Sequence, residues 1–145
     1  MKTYAPRIVI RNITTKLPVT EIAFNKTPGT LATLEILFKS IKASGNDFFL
    51  MTLATEEITI VCSDTLVGKV EKAFKEKPKM KQSGLTAVGL SFDEKYYDIP
   101  NVTFSLIRKI ALREINIAET VSSYKEVVFI CNQKDLNSVL DAFSN

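Results

Sequence analysis

Two short stretches carry residue types that can hold an anion: Lys26-Thr27-Pro28-Gly29-Thr30 and Asp98-Ile99-Pro100-Asn101-Val102-Thr103. Each is a polar loop with a proline, followed by apolar residues at helical spacing. A loop that leads into a helix presents backbone N–H groups with no intrahelical acceptor, and the helix dipole adds positive partial charge there. A carboxylate or phosphate is the natural ligand for such a start. Pro28 and Pro100 read equally as plain helix starts, because proline lacks an N–H and its fixed φ suits the first helical position.

Catalytic chemistry finds few residues to work with. The 145 residues include no histidine, which removes every Ser-His or Cys-His pair, and no GxxxxGK[ST] or GxGxxG loop follows a candidate strand. Asp93, Glu94 and Asp98 cluster ahead of one candidate helix, where carboxylates read as solvated loop charges. Cys62 and Cys131 each sit in an apolar, strand-like run with no CxxC pairing, so they read as reduced core residues rather than metal ligands. The expectation is a protein that is not an enzyme and holds no cofactor or metal.

Charge and hydropathy narrow the class further. Nineteen basic against sixteen acidic residues leave a net charge of +3, spread along the chain, which does not suggest nucleic acid. The densest basic stretch, Lys75 to Gln82, is broken by Glu76 and Pro78 and has no interleaved aromatic residues, so it reads as a solvated linker rather than a polyanion patch. No apolar run nears the ~20 residues that span a bilayer. Residues 1–7 lack the apolar core of a signal peptide. A cytoplasmic protein with no membrane contact is expected.

The elements that position the two loops repeat. Arg7–Ile13 alternates as a strand, Thr14–Pro18 reads as a turn, and Val19–Phe24 as its hairpin partner. A helix with Leu31, Leu34, Phe38 and Ile41 follows the first loop and stops at Ser44-Gly45-Asn46. Phe48–Ala54 and Ile58–Cys62 form a hairpin around Thr55–Glu57. Ser63 or Asp64 then caps a helix carrying Leu66, Val67, Val70 and Phe74. The order resumes with a strand over Leu85–Phe92, the loop at Asp98, and a helix over Val102–Glu114 with Leu106, Ile107 and Ile110 inward. Strands over Ile117–Val121 and Val127–Cys131 and a helix over Asn132–Phe143 complete it. Pro28 matches Pro100 at a spacing of 72, whereas Cys62 and Phe74 match Cys131 and Phe143 at 69; this is a duplication with a one-turn length difference in the first helix.

Each βαββ(α) half predicts an α+β fold of ferredoxin-like type, an antiparallel sheet with both helices on one face. The expected organisation is a first module over residues 1–76 with an extra N-terminal strand, a linker over 77–84 and a second module over 85–145. The second half stops after its last helix, so Arg7–Ile13 is expected to supply its missing strand.

The stretch Ile99–Phe143, IPNVTFSLIRKIALREINIAETVSSYKEVVFICNQKDLNSVLDAF, resembles an ACT module of the kind in the regulatory region of aspartate kinases. That family's pattern is a Pro-Gly-Val start, an amphipathic helix, Ile-Asn-Ile, a Ser/Thr-rich hairpin and a Lys-Asp-Leu helix start. Asn25-Lys26-Thr27-Pro28-Gly29 resembles the family's Asp-Lys-x-Pro-Gly loop, and the whole chain resembles the short, kinase-free regulatory subunit of some aspartate kinases. The resemblance implies two tandem ACT modules binding an amino-acid effector through the loops above. It also implies contacts from Asn116 and Ile117 of Ile-Asn-Ile and from Ser122 and Ser123, control of an enzyme of amino-acid metabolism, and a homodimer or higher oligomer.

Several positions depart from that pattern. Asn101 replaces the family's glycine, which asparagine can do because it tolerates positive φ. Tyr96-Tyr97 replaces small residues, and Asp47 falls where the first half should carry the ligand-binding asparagine, so the second half is the better binding candidate. Asn116 has an alternative as a helix C-terminal cap, and Ser122 and Ser123 as turn formers. Two other readings compete with the effector-binding one: a structural interaction module, and, weakest, a nucleic-acid binder, which would need exposed aromatics on the central strands, whereas Phe48, Phe49 and Phe129 lie in runs too apolar to be mostly exposed.

Overall fold

The computed structural model describes residues 8–41 and 47–144. Among them six strands and four helices run in the order β1 (Ile10–Asn25), α1 (Pro28–Ile41), β2 (Phe49–Leu53), β3 (Glu57–Ser63), α2 (Asp64–Ala73), β4 (Met80–Phe92), α3 (Val102–Ala111), β5 (Ile117–Ser122), β6 (Glu126–Asn132) and α4 (Leu136–Phe143). Arg7 and the Ser44–Asn46 helix stop lie outside the described residues. The chain divides into two compact units: a first over Lys16–Leu85, and a second made from Met1–Thr15 and Thr86–Asn145. The unit boundaries fall inside β1 and β4.

In the first unit the strand order is β2-β3-β1-β4. β1 and β3 are antiparallel with Ile22 opposite Ile60 and Phe24 opposite Ile58, which places these four side chains on one face. Leu34, Leu37 and Ile41 of α1 and Leu66 and Val70 of α2 join them in a single core cluster, so both helices cover the same side of the sheet. Phe74, just past α2, stacks on Phe24 with ring centroids 4.0 Å apart.

In the second unit the order is β1-β4-β6-β5. Val88, Leu90 and Phe92 of β4 and Val127, Phe129 and Cys131 of β6 form a cluster with Leu106 and Ile110 of α3 and Val139 and Phe143 of α4. Phe143 stacks on Phe129 at 5.9 Å, so the residues matched at a spacing of 69 both anchor the end of a helix in its own core. Ile8, Ile10 and Ile13 pack against this cluster. The N-terminal segment therefore completes the second unit's sheet. Full burial of an isoleucine is worth about 1.5–3 kcal/mol, and these three, half-buried, contribute a fraction of that each.

Four expectations change. Thr14–Pro18 is not a turn: β1 continues through it, giving six strands instead of seven. Its partner is β4, as shown by Lys79 N–H donating to the Ala23 carbonyl at 2.7 Å and Ser91 Oγ to the Asn12 carbonyl at 3.4 Å. The β1–β3 ladder starts at Val19 opposite Ser63, so the missing N–H of Pro18 interrupts no rung of it. Residues 80–84 of the expected linker belong to β4, because a strand needs ladder partners rather than apolar side chains; Lys79 and Lys81 form ion pairs with Glu57 at 3.1 Å and Glu71 at 2.6 Å. Ile107 is 41% exposed, since the buried positions Val102, Leu106 and Ile110 recur every four residues and leave it one step off the inward face. Finally, α3 closes at Ala111, and Glu114, at φ 56°, takes the left-handed position after it, which leaves Asn116 no capping role.

Candidate functional site

The two anion-type loops have opposite fates. At α1, Thr27 is the N-cap and Pro28 the first helical residue. Thr27 Oγ1 accepts from Thr30 N–H at 3.0 Å, and Thr30 Oγ1 accepts from Thr27 N–H at 2.8 Å. This is a reciprocal capping box with a second threonine in place of the usual Glu or Gln. Thr30 Oγ1 also donates to the Asn25 carbonyl at 2.9 Å and is 1% exposed. Lys26 Nζ donates to the Ala54 carbonyl at 3.2 Å, and a Cβ on Gly29 would come within 3.2 Å of Glu76 Oε1. The loop has turned its polar groups on itself.

At α3 the start is open. A 3-10 turn over Glu94–Tyr96, capped by Asp93 Oδ1 accepting from Lys95 N–H at 3.0 Å, carries the chain out of β4. Tyr96 and Ile99 fix the following bend, with Ile99 N–H donating to the Tyr96 carbonyl at 3.1 Å. Asn101 is the N-cap at φ 67°, ψ 13°, and its side chain makes no capping bond. Pro100 precedes the cap rather than beginning the helix. The first intrahelical bond is Ser105 N–H to the Asn101 carbonyl at 2.9 Å, so the amides of Val102, Thr103 and Phe104 have no carbonyl inside the helix.

These residues form one side of a cleft of about 460 Å³ within the second unit, a volume in the range of small-molecule sites. Asn101, Thr103, Ser122 and Ser123 supply its polar lining. Its floor is apolar and buried: Phe92, Tyr96, Val102 and Val127 are all under 8% exposed. Tyr96 is held from behind, its hydroxyl accepting from Val9 N–H at 3.0 Å, and meets Phe92 edge-on at 6.1 Å. Tyr97 and Tyr124 form an exposed wall, ring centroids 5.0 Å apart and tilted by 54°.

Of the residues expected at the second loop, Ile99, Asn101, Val102, Thr103, Ser122 and Ser123 come together here. Asp98 and Pro100 are exposed and do not line the cleft. Ser123 serves the hairpin too, its N–H donating to the Glu126 carbonyl at 2.7 Å. Asn116 and Ile117 are not brought in. They stand at the opposite end of β5 from Ser122, about 16 Å away at the strand rise. The residues missed from sequence are Val127 and five aromatics: Phe92, Tyr96, Tyr97, Phe104 and Tyr124. The signal for them was the unusual Tyr96-Tyr97 pair.

A smaller cleft of about 260 Å³ in the first unit is lined by Lys16, Leu17, Pro18, Asp47, Ser63 and Asp64, with Thr65 at its edge. Its carboxylates already have partners: Asp64 Oδ1 accepts from Thr20 Oγ1 at 2.7 Å and Asp47 Oδ1 from Thr65 Oγ1 at 2.9 Å. The cysteines are unsuited to redox or nucleophilic work. Burial, then Asp64 and Asp47, pushes the Cys62 thiol up to about 12; burial, then Asp135, pushes Cys131 up to about 11. Among the described residues no cluster could hold a metal ion and no helix is long and apolar enough to cross a membrane. Phe129 is fully buried and presents no stacking surface.

The fold is that of the regulatory subunits and regulatory regions of aspartate kinases. The regulatory subunit of aspartate kinase from Thermus thermophilus superimposes with a TM-score of 0.71 at 12% identity, covering 92% of this chain and 95% of that one. Clostridium acetobutylicum aspartate kinase gives 0.73 at 16% identity over 97% of this chain and 35% of its own. Escherichia coli aspartokinase III, in complex with lysine and aspartate, gives 0.65 at 18% identity over 98% of this chain and 34% of its own. No protein-family model and no curated protein matches the chain.

Proposed function

We propose that this chain is an amino-acid-binding regulatory protein whose two units are ACT-type modules, and that it controls an enzyme of amino-acid metabolism. The observation that carries the reading is the cleft at the start of α3, where three helix amides, the left-handed Asn101 and the hairpin serines meet an apolar floor. An α-amino acid matches that division: its carboxylate sits on the amides of Val102 and Thr103 and its side chain on the floor. The likeness of fold to aspartate kinase regulatory subunits supports the regulatory role. The first unit, its loop closed by Thr27 and Thr30, acts as a structural partner module.

A homodimer or higher oligomer in the cytoplasm belongs to the same reading. Ile36 and Phe38 on α1 are 70% and 53% exposed, and β2 and β5 end the strand order, leaving apolar and edge surface for a second copy. Light scattering at tens of micromolar tests this; a monomer mass with and without amino acids refutes it.

A thermal-shift screen against the twenty amino acids tests the central claim. A ligand bound only by the folded state at a hundredfold excess over Kd stabilises by about 2.7 kcal/mol, a rise in Tm of roughly 5–10 °C at this size. If no amino acid raises Tm, the effector-binding reading falls.

A further inference from the structure

We infer that the cleft of the second unit is selective for an aromatic α-amino acid; this rests on the amino-acid-binding reading above. The lining contains no Asp, Glu, Lys or Arg. A lysine ammonium or an aspartate side-chain carboxylate on the buried floor of Phe92, Tyr96, Val102 and Val127 would lose hydration with no opposite charge in the lining, Glu94 and Lys125 standing outside it beside Tyr124. The neutral lining therefore discriminates against the charged amino acids by negative selection.

What the lining offers instead is aromatic surface. Phe92 and Tyr96 are the buried floor, while Tyr97, Phe104 and Tyr124 are 65%, 57% and 52% exposed. Large rings left this open on one rim are an apolar patch awaiting cover. The polar groups, by contrast, are confined to the α3 start and the β5–β6 hairpin. One polar pole and one aromatic body match a zwitterion with a flat ring, its carboxylate on the α3 amides, its α-ammonium against that carboxylate's pole and the Ser122 and Ser123 hydroxyls, and its ring in offset or tilted stacking on the Tyr97–Tyr124 pair. Tyr124 is steadied by its hydroxyl, 3.5 Å from Glu94 Oε2.

The chain has no tryptophan, so added L-tryptophan excited at the long-wavelength edge reports its own capture through rising anisotropy and a blue shift. Phenylalanine and tyrosine are measured by competition, and lysine, threonine and aspartate by calorimetry. The expected result is binding of the aromatic amino acids, and a Kd raised about three- to tenfold by Tyr97→Ala and by Tyr124→Ala, the size of one ring contact. Both residues are largely exposed, so circular dichroism and Tm should stay at the parent values. Binding of lysine, threonine or aspartate without the aromatic class overturns this inference and leaves the effector-binding reading standing. Aromatic binding indifferent to both alanine variants also overturns it, by placing the ring elsewhere. No binding of any amino acid overturns the underlying reading and this inference with it.

Discussion

Thr27→Ala and Thr30→Ala, singly and together, probe the cap that closes the start of α1. Thr27→Ala removes one acceptor, from the Thr30 amide at 3.0 Å, and costs about 1 kcal/mol, the usual value for an N-cap. Thr30→Ala does more. It strips the partner from the Thr27 amide at 2.8 Å and from the Asn25 carbonyl at 2.9 Å, at about 1 kcal/mol each, and empties a methyl-sized volume at a position 1% exposed. The single variant is therefore expected to lose about 2–3 kcal/mol. The hydroxyls also lie 3.2 Å from each other, so the double variant should lose less than the sum by about 0.5–1 kcal/mol. Urea unfolding with an unchanged slope reads all three. A cost under about 0.5 kcal/mol for Thr30→Ala, or strict additivity, refutes the reciprocal cap. The same variants should bind amino acids as the parent does; loss of binding in Thr27→Ala would move the site to the first loop.

At Asn101, φ 67° without a side-chain cap makes backbone tolerance the only issue: Asn101→Gly should stay within about 0.5 kcal/mol and Asn101→Ala lose about 1 kcal/mol, and an alanine variant as stable as the parent by thermal unfolding contradicts the left-handed cap. Asn116→Ala should leave the effector Kd unchanged in calorimetry, because Asn116 does not line the cleft; a tenfold loss would place it in the site. With thiols pushed up to about 12 and about 11, thiolate at pH 8 is about one part in ten thousand and one in a thousand. Ellman's reagent should therefore find no rapid thiol in the native protein and both after unfolding in guanidinium. Burial raises the Glu119 carboxyl above 4.5, so its contribution to stability is complete below that pH and is lost as pH rises through the folded value. Glu119→Gln should accordingly raise Tm at pH 7, with the gain gone below pH 4.5; an equal gain at both pH values would point to a cause other than ionisation.

The parts of the fold legible in the sequence were those fixed by local pattern. The matched Cys62/Cys131 and Phe74/Phe143 pairs became matched core positions, and the four helices and the β2–β3 and β5–β6 hairpins lie within a few residues of their expected bounds. The pattern failed where pairing, not local preference, decides. Thr14–Pro18 is polar and proline-terminated, the usual composition of a turn, yet thirteen residues of β4 offer β1 a ladder that holds it extended. The same ladder recruits Met80 to Gly84, where the charge of Lys81 is paired with Glu71, as that of Lys79 just ahead of the strand is with Glu57.

For the candidate site, the sequence marked two loops and favoured the second through the Asp47 departure, but their amides looked alike. In both, a proline precedes a helix, and both read as anion cradles. The difference lies in one hydroxyl: Thr-x-x-Thr at Thr27–Thr30 lets two side chains answer each other's backbone, whereas Asn101, followed three residues later by Phe104, has nothing at that position to reach back. The aromatic rim was equally hidden, because Tyr97 and Tyr124 are 27 positions apart in the chain and meet only through the β5–β6 hairpin. Asn116 stays out of this cleft for a different reason. A short motif fixed its identity, but a strand that runs away from the helix start carries it to the far end of the sheet. Residues that follow a helix are positioned by its C-terminus, so within the unit the start of α3 meets the far ends of β4 and β5, while the beginning of β5 lies at the other end of the sheet.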